Sequence, residues 1–358
     1  MTIIHVARIN YSLSNGINSV ILNLIPSQQI LGHCVFLFNL YKNEKVGLEN
    51  DVYVSGIADF SAEIDRLMPD VVVFHGSYEP KLCLFGYCLS KKNIPYLVEP
   101  HGGTSRDNLN KNRLTKSLFN LVLTNRYVGK AAGIVYLNRQ EKDHSIYSRK
   151  KGQDCIVPNG VQIHHIAIAD KRKSDKINFV FLSRIDIKYK GLDMLLQAAA
   201  TFAVRHPEAN FELNIYGGRY DNSIIEEFRR LVSQTKAPVT YHGEVLGEAK
   251  DAAYLNANIY VLPSLSEGMP VTVLEALSFG NPCIVTPNTN MAELITAANA
   301  GWVCAPTVDG ITESLAKAYV EYRSDRDGYV QRAMQAAVPY DWNMIAETSV
   351  KEYARLIQ

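Results

Sequence analysis

The chain of 358 residues lacks the features of a membrane, secreted or metal-clustered protein. No apolar run approaches the roughly 18 residues that a membrane-spanning helix needs. Met1 leads into an apolar strand pattern and not into a basic-then-apolar signal peptide. The six cysteines have no metal-type spacing and lie mostly in apolar runs, which favours buried thiols in a reducing compartment. We therefore expect a cytosolic protein.

Several signatures of other enzymes are also absent. The sequence has no GxGxxG, GxxxxGK[ST] or HExxH motif, and no GxSxG on a strand–turn–helix. Its one Asp-x-Asp motif, at 325–327, lies between C-terminal helical patterns and resembles an exposed helix start, so we predict no metal site held by this pair of carboxylates. The net charge of +1 and the absence of a nucleic-acid motif argue against nucleic acid as a partner.

Short apolar runs alternate with helix-length segments along almost the whole chain. This alternation predicts an α/β fold with parallel sheets built from βαβ units. The chain is too long for one ordinary core, and the polar stretch 169–176 interrupts the alternation as a linker would. We predict two doubly wound, Rossmann-like domains, 1–168 and 169–340, and a C-terminal helix, 341–358. The predicted strands are 3–9, 35–40, 52–54, 71–75, 96–99, 134–137, 155–157, 177–183, 211–216, 239–241, 259–262 and 283–285.

The stretch 264–280, SLSEGMPVTVLEALSFG, carries the strongest local signal. It follows an apolar strand pattern and predicts a turn, a helix with Pro270 as its first residue, and an end at Gly280. A helix N-terminus at the carboxyl end of a strand is a ready anion site. Glu267 lies in the turn, whereas Glu275 lies among apolar helix residues and needs a hydrogen-bond partner. From the residues alone, Glu275 can also cap a neighbouring helix or pair with an arginine.

Two cations flank a second candidate anion site, in the segment NFVFLSRIDIKYKGLDM. Arg184 ends a predicted strand, and Lys190-Gly191 begins the following helix. Cations at a strand end and a helix start suit a diphosphate, and Gly191 permits close backbone approach. Lys188 is an alternative to Lys190, and two surface bases around a loop are the plain alternative to a site.

Histidines follow two predicted strands in the first domain. His101 stands in VEPHGGTSR, just past a strand end, and the glycines after it leave the backbone free to approach a ligand. His75-Gly76 ends the preceding strand in the same way and is a lesser candidate for contact with a substrate. The tandem pair His164-His165 has no second ligand pair, and we expect it to be solvated.

Residues 101–151 carry eleven Lys or Arg against three acids. Leucines interleave with these charges, and such a basic amphipathic stretch can bind an anionic membrane surface or an acidic acceptor. An ordinary solvated helix that packs its leucines on the core is the alternative. The basic residues are Arg106, Lys111, Arg113, Lys116, Arg126, Lys130, Arg139, Lys142, Arg149, Lys150 and Lys151.

The two acids together with EGMP resemble the signature of the retaining glycosyltransferases of family 4, which are sugar-nucleotide enzymes of GT-B architecture. The resemblance is close over the second domain and looser over the first. It implies two Rossmann-like domains that face each other across a cleft. It also implies a C-terminal helix that crosses back to the first domain with Trp342 as its anchor. In this family two glycines usually follow the first strand, whereas this chain has Asn15-Gly16.

The resemblance also implies roles for individual residues. Arg184 and Lys190 would hold the donor diphosphate, Glu275 the ribose, Glu267 the sugar, and His101 would face the sugar. We predict Arg184, Lys190, Glu267 and His101 as catalytic residues. The predicted donor-binding residues are Gly16, Gly217, Gly243, Glu244, Gly268, Met269, Pro270, Val271 and Glu275.

The function implied is transfer of a hexose, with retention, from a nucleotide-diphosphate sugar to an acceptor hydroxyl in polysaccharide or glycolipid biosynthesis of the cell envelope. The implied partners are this donor substrate and a glycan or lipid-linked acceptor, with no cofactor and no metal. Contact with an anionic membrane at its cytoplasmic face is a further expectation. The alternatives are a nucleotide-sugar 2-epimerase of the same fold, which needs no acceptor, and a non-catalytic two-domain binding module.

Overall fold

The structure is a computed structural model that describes residues 1–9, 16–42, 47–76, 79–103, 124–147, 153–164, 166–167, 175–219 and 221–358. The chain forms two compact units, one of Met1–Gly160 with Trp342–Gln358 and the other of Val161–Asp341. Some sequence predictions lie outside the described residues. They are Asn15, His165, most of the linker 169–176, and seven basic residues: Arg106, Lys111, Arg113, Lys116, Arg149, Lys150 and Lys151.

The first unit is built on a seven-stranded parallel sheet. Its strands are β1 (Thr2–Ala7), β2 (Cys34–Asn39), β3 (Asp51–Tyr53), β4 (Val71–His75), β5 (Tyr96–Glu99), β6 (Gly133–Tyr136) and β7 (Asp154–Ile156). They lie in the order β3-β2-β1-β4-β5-β6-β7. The described helices between them are α1 (Gly16–Ile30), α2 (Ile57–Leu67), α3 (Pro80–Lys92), α4 (Asn125–Lys130) and α5 (Arg139–His144).

The second unit is built on a six-stranded parallel sheet. Its strands are β8 (Ile177–Leu182), β9 (Phe211–Tyr216), β10 (Val239–Gly243), β11 (Ile259–Leu262), β12 (Cys283–Val285) and β13 (Gly301–Val303). They lie in the order β10-β9-β8-β11-β12-β13. The described helices are α6 (Leu192–Arg205), α7 (Asn222–Gln234), α8 (Glu248–Asn256), α9 (Val271–Ser278), α10 (Ala292–Ala297), α11 (Val308–Ser324) and α12 (Arg326–Ala337).

The last helix, α13 (Trp342–Ile357), belongs to the first unit and packs against α1. Trp342 is buried where the helix begins, and a Cβ at Gly160 would lie 2.3 Å from its indole ring. Only a residue without a side chain leaves room for this ring at position 160. The indole therefore fixes the start of α13 against the segment that follows β7.

The central strands are buried along their whole length. Every residue of β4 and of β8 is buried, as expected of parallel strands covered on both faces. Such strands read as continuous apolar runs in the sequence, which is why the runs predicted them. The prediction of an α/β fold with doubly wound parallel sheets is confirmed. In the described part of the chain, no helix combines the length and the hydropathy needed to cross a bilayer.

The sequence pattern does not predict β13, the edge strand of the second sheet. Gly301 begins it at φ +150°, and a Cβ there would lie 2.0 Å from the carbonyl oxygen of Cys283 on β12. The strand therefore starts with a close backbone approach that glycine alone permits. Three residues that begin with glycine carry too little apolar pattern to be recognised as a strand.

Candidate functional site

Four neighbouring strands of the second unit carry most of the predicted site residues at their carboxyl ends. Arg184 follows β8, Gly217 follows β9, Gly243 ends β10, and Glu267 follows β11. These strands are parallel and adjacent, in the order β10-β9-β8-β11, so their carboxyl ends meet at one edge of the sheet. The direction of winding changes at β8, and such a switch point leaves a crevice where α/β sheets bind ligands.

Two glycines bring the loops at this edge into backbone contact. Gly191 has φ +66°, and a Cβ there would lie 2.3 Å from the carbonyl oxygen of Pro263. Gly217 has φ +149°, and a Cβ there would lie 1.8 Å from the carbonyl oxygen of Ser183. Any larger residue would push these loops apart. The glycines therefore set the shape of the crevice.

An ion pair joins the loop after β8 to the turn after β11. Lys190 Nζ lies 2.6 Å from Glu267 Oε1, and the Ser264 hydroxyl donates to the same oxygen at 2.6 Å. The side chains of Lys190 and Glu267 are 12% and 14% exposed. Because little water screens this pair, each charge fixes the position of the other. The fold thus joins two residues for which the sequence implies separate roles.

The other two cations of this loop face solvent. The Lys188 side chain is 80% exposed and lies 2.6 Å from Asp193. Arg184 is exposed and forms no ion pair with another described residue. The surroundings therefore favour Lys190 over Lys188 as the lysine of the site, with Arg184 available to a ligand.

The glycine turn after β9 is braced from both sides. The Gly217 N–H donates to the Gly243 carbonyl oxygen at 2.7 Å. Arg219 donates from Nη1 to Asp186 Oδ2 at 2.8 Å. Arg219 therefore stabilises the loop after β8, whereas Glu244 is exposed beside this turn.

The EGMP turn is held by the segment after β12. The Asn290 side chain donates to the carbonyl oxygens of Glu267 at 2.8 Å and Gly268 at 2.9 Å. Asn290 itself has φ +58°, a conformation that asparagine tolerates better than most residues. This brace fixes the direction in which Glu267 leaves the turn.

The helix after the turn begins one residue later than the sequence predicts. Pro270 has φ −71° and ψ 116°, which is extended, so it caps α9 and Val271 is the first helical residue. A proline ring fixes φ but leaves ψ open, so the sequence could not decide between these positions. The side chains of Met269 and Val271 are buried. Both residues therefore serve a ligand through their backbone if at all.

Glu275 meets a lysine and a tyrosine of α8. Lys250 Nζ lies 2.8 Å from Oε1, and the Tyr254 hydroxyl donates to Oε2 at 3.0 Å. Burial, followed by the charge of Glu275, raises the pKa of Tyr254 well above its usual value, so the hydroxyl keeps its proton. The arginine partner suggested by the sequence is replaced by Lys250. Lys250 and Tyr254 are one helical turn apart, a spacing too common to identify a site.

His164 lies near Glu275 and Lys250, contrary to expectation. Its ring centroid is 4.1 Å from that of Phe279, and its side chain is partly buried. The prediction that His164 is solvated is therefore wrong. Burial lowers its pKa, with the nearby acids Asp251 and Glu275 acting in the opposite direction.

In the first unit, His101 follows β5 in a strained turn. It has φ +49°, and the next residue, Gly102, has φ +78°. The buried carboxylate of Glu141 accepts the N–H groups of Gly102 and Leu137. The turn is thus held through its backbone, and the His101 side chain is 5% exposed.

Gly16 is the first residue of α1, exposed, and its missing side chain would meet nothing within 4 Å. It shows none of the close packing that constrains Gly191 and Gly217.

The sequence prediction did not identify one group that could hold a metal. The donor atoms of His75, Glu99 and His101 lie within 4.8 Å of one another. His75 Nδ1 is 3.6 Å from Glu99 Oε2, and His101 Nε2 is 3.7 Å from Glu99 Oε1. His75 Nδ1 and His101 Nε2 are themselves within hydrogen-bond distance, at 2.9 Å.

Comparison with known proteins gives matches over both units. Residues 176–325 match the family model for glycosyl transferases, group 1. A phosphatidyl-myo-inositol mannosyltransferase from Mycolicibacterium smegmatis is 25% identical over 293 residues, which are 79% of this chain and 70% of that protein. An N,N'-diacetylbacillosaminyl-diphospho-undecaprenol alpha-1,3-N-acetylgalactosaminyltransferase from Campylobacter jejuni is 31% identical over 187 residues, 51% of this chain and 46% of that protein.

Among solved structures, a sucrose-phosphate synthase from Thermosynechococcus elongatus has a TM-score of 0.74 at 15% identity, over 99% of this chain and 98% of that one. At such low identity the likeness shows the fold alone. It confirms the GT-B fold that the sequence predicts.

Proposed function

We propose that this chain, whose residues 176–325 match the family model for glycosyl transferases of group 1, is a glycosyltransferase that transfers a hexose from a nucleoside-diphosphate sugar to an acceptor hydroxyl. The names of the two sequence relatives refer to an inositol phospholipid and to an undecaprenol-linked sugar. These names support a glycan or lipid-linked acceptor, and a place in glycolipid or cell-envelope glycan synthesis.

The observation that carries the proposal is the Lys190–Glu267 pair at the start of α9. A sugar diphosphate has a group for each member of the pair: Lys190 can bind a phosphate oxygen, and Glu267 can accept hydrogen bonds from sugar hydroxyls. The N-terminus of α9 adds N–H groups and a partial positive charge at the same place. Arg184, exposed at the neighbouring strand end, supplies a second cation.

Glu275 suits the ribose of the donor. Each carboxylate oxygen can accept more than one hydrogen bond, so the bonds from Lys250 and Tyr254 leave capacity for two ribose hydroxyls. Those bonds also keep the carboxylate in one orientation. Gly217 and Gly243 line the adjacent strand ends, where the nucleoside would pass close to the backbone.

We infer that the sugar keeps its anomeric configuration. The bond from the anomeric carbon to phosphate breaks as the acceptor oxygen bonds that carbon on the same face, and a phosphate oxygen takes the acceptor proton. Lys190 and Arg184 stabilise the charge that builds on the departing diphosphate. Because these cations do what a divalent ion would otherwise do, we propose that transfer needs no metal and no cofactor.

We also propose peripheral contact with an anionic membrane surface. Leu84 and Tyr87 on α3 are 55% and 53% exposed. Lys91 Nζ and Lys130 Nζ lie 4.9 and 5.6 Å from the centre of the Tyr87 ring. An exposed aromatic ring between lysines suits a membrane interface. A solvated basic surface is the alternative.

Turnover of nucleotide sugars with and without acceptor tests the proposal. A thermal-shift screen first selects the donor, since ligand at about 100 times its Kd adds roughly 2.7 kcal/mol of stability. The selected donor is then incubated with glycan and lipid-linked acceptors, and the new linkage is read by NMR. An acceptor-dependent product of retained configuration is expected. Release of a 2-epimer without acceptor, or donor binding with no turnover, would contradict the proposal and favour an epimerase or a binding module.

A further inference from the structure

A row of buried imidazoles crosses three adjacent strands of the first unit. His5 lies in β1, His75 ends β4, and His101 follows β5. His5 Nδ1 and His75 Nε2 are 2.8 Å apart, and His75 Nδ1 and His101 Nε2 are 2.9 Å apart. The rings are stacked at both steps, with centroids 5.1 Å apart. The three imidazoles therefore form one continuous chain of hydrogen bonds.

The far end of this chain is fixed by the C-terminal helix. The Ser349 hydroxyl donates its only proton to the Ala346 carbonyl oxygen at 2.7 Å. Ser349 must therefore accept its 2.9 Å bond from the amide nitrogen of Gln28. The amide oxygen of Gln28 then faces His5 Nε2, at 2.8 Å. Ser349 thus decides which way the Gln28 amide points.

From Gln28 the position of every proton in the row follows. An amide oxygen only accepts, so His5 Nε2 carries a proton and His5 Nδ1 is a lone pair. His75 Nε2 must therefore donate to His5, which leaves a lone pair on His75 Nδ1. By the same step, His101 Nε2 donates to His75. The rings are neutral at pH 7, since burial lowers the pKa of His5 and of His101 to about 4.

We propose that His75 and His5 are positioning residues that hold His101 as its Nε2–H tautomer. The His101 Nδ1 lone pair is then available to accept a hydrogen bond from a hydroxyl of a bound substrate. The use of that lone pair rests on the proposed function, whereas the tautomer follows from the row alone. The strained turn holds the backbone of His101, and the row holds its ring.

The row leaves no place for a metal between His75 and His101. A metal would need the lone pairs of His75 Nδ1 and His101 Nε2 together, whereas their 2.9 Å hydrogen bond requires a proton on one of them. Glu99, the third possible ligand, is buried, and its Oε2 has no hydrogen-bond partner among the described residues. Burial raises the pKa of Glu99 to about 8, which favours the uncharged carboxyl group beside the row.

Ring ¹⁵N NMR of histidine-labelled protein tests the tautomers, because a protonated ring nitrogen and a lone-pair nitrogen have well-separated shifts. The wild-type protein should show His5, His75 and His101 as Nε2–H. His5→Phe should give mixed tautomers at His75 and His101, because it removes the acceptor that orders them. His144→Phe, at an exposed histidine of the same unit, should leave all three signals unchanged. A proton on His101 Nδ1 in the wild type, an unchanged His101 in His5→Phe, or stoichiometric bound zinc would each overturn the proposal.

Kinetics test the positioning. His75→Phe should lower kcat/KM for transfer by about 10²-fold, the loss typical of a reacting geometry displaced by about 1 Å. His75→Gln, whose amide can both accept and donate, should recover part of that loss. The Kd of a nucleoside diphosphate without its sugar should not change in either variant, because its candidate site lies in the second unit. Undiminished kcat/KM in a folded His75→Phe protein would overturn the positioning role.

A second pair of variants probes the far end of the row. Ser349→Ala frees the Gln28 amide to turn over, and should give a mixed His101 tautomer. Thr348→Ala removes the neighbouring hydroxyl, which bonds the Met344 carbonyl oxygen instead, and should not change the tautomer. An unchanged His101 in Ser349→Ala would overturn the assigned direction of the row. If the wild type transfers no sugar at all, the proposed function fails, while the NMR experiments still decide the tautomer.

Discussion

Lys188 and Lys190 lie two residues apart in one loop, and the fold gives them opposite surroundings. The Lys190 side chain is 12% exposed and shares a carboxylate with Ser264, whereas that of Lys188 is 80% exposed. An exposed ion pair contributes about 0–1 kcal/mol. The loop therefore supplies both a site residue and its own matched control.

We predict that Lys190→Ala and Arg184→Ala each lower kcat by about 10²–10³-fold, because each removes a donor to the charge on the leaving diphosphate. Lys188→Ala should change kcat by less than about threefold, in line with the small value of an exposed pair. Steady-state kinetics with and without EDTA measure these effects, and EDTA should change little. Turnover that EDTA abolishes and Mn²⁺ restores would show that Lys190 and Arg184 do not replace a metal.

Glu275 should recognise the ribose of the donor. We predict that Glu275→Gln weakens nucleoside-diphosphate binding by about 1.5–3 kcal/mol, the range for a hydrogen bond to a charged group. A 2′-deoxy nucleotide should bind the wild type more weakly than the ribonucleotide does, but should lose little further affinity in the variant. Calorimetric titration measures all four affinities, with Glu293→Gln, an exposed acid of α10, as control. If Glu275→Gln binds the nucleoside diphosphate with an affinity within a factor of about two of the wild type, Glu275 is not part of the site.

Burial of Glu99 makes stability depend on pH in a predictable direction. Its pKa rises from 4.5 to about 8 on folding, so between these values the folded state keeps a proton that the unfolded state loses. The contribution of Glu99 to stability is therefore full below pH 4.5 and falls as the pH rises through 8. Glutamine does not titrate. The free energy of unfolding of Glu99→Gln, relative to that of the wild type, should therefore rise by up to about 1.4 kcal/mol for each pH unit in this window.

Urea unfolding at pH 5, 6, 7 and 8 measures this difference. Glu63→Gln is the matched control, because Glu63 is only partly buried on α2, beside Arg66. The control should show a pH-independent difference from the wild type. If Glu99→Gln also gives a constant offset, the carboxyl group is ionised in the folded protein and the raised pKa is wrong.

At the scale of elements, glycines decide how closely the loops of the second unit approach. Gly191 (φ +66°, ψ 27°) and Gly247 (φ +53°, ψ −134°) both have positive φ, but only Gly191 has the left-handed helical conformation. A Cβ at Gly191 would lie 2.3 Å from the Pro263 carbonyl oxygen, whereas one at Gly247 would meet nothing within 4 Å. A side chain at Gly247 therefore adds backbone strain alone, whereas one at Gly191 adds strain and a collision.

We predict that Gly247→Ala lowers the free energy of unfolding by about 1–3 kcal/mol, the cost of a backbone conformation that residues other than glycine rarely adopt. Gly191→Ala should lower it by more than the roughly 1–2 kcal/mol of a left-handed residue, and should also weaken nucleotide binding, because Lys190 moves with the loop. The chain has two tryptophans, one in each unit, so Trp302 fluorescence in a Trp342→Phe background follows the second unit during urea unfolding. A loss in Gly191→Ala no larger than that of the left-handed conformation, with unchanged nucleotide binding, would mean that the loop relaxes without cost.

All the described strands except β13 could be predicted, because buried parallel strands carry their pattern in consecutive residues. The turn and helix around Glu267 and Glu275 could be predicted because their signals also lie in consecutive residues. The partners of these acids could not, because Lys250 and Asn290 reach them only through packing of α8 and of the segment after β12. The histidine row shows the same limit. His75 and His101 stand at strand ends, whereas His5 lies inside an apolar run. Only the pairing of β1 with β4 brings His5 to His75.

At the scale of the whole molecule, a net charge of +1 conceals an uneven distribution. Eleven Lys or Arg lie between residues 101 and 151 against three acids, so the rest of the chain is acidic. Four of these bases are described, and Arg126 and Lys130 are exposed on α4. An enzyme that acts on a lipid-linked acceptor gains from such a charge, because anionic lipids would concentrate it where the acceptor lies.

We predict that the protein sediments with anionic vesicles at low salt and is released as salt is added. At physiological ionic strength, exposed charges more than about 8 Å apart are largely screened from one another. The double variant Arg126→Glu with Lys130→Glu should weaken this binding, since each base near the surface contributes about 1 kcal/mol. Arg230→Glu with Lys236→Glu, an equal charge change at exposed positions of the second unit, should have little effect. Equal losses in both double variants would indicate attraction by net charge alone. No binding at low salt would leave the α3–α4 surface as a solvated face, and the acceptor would then have to be reached without docking.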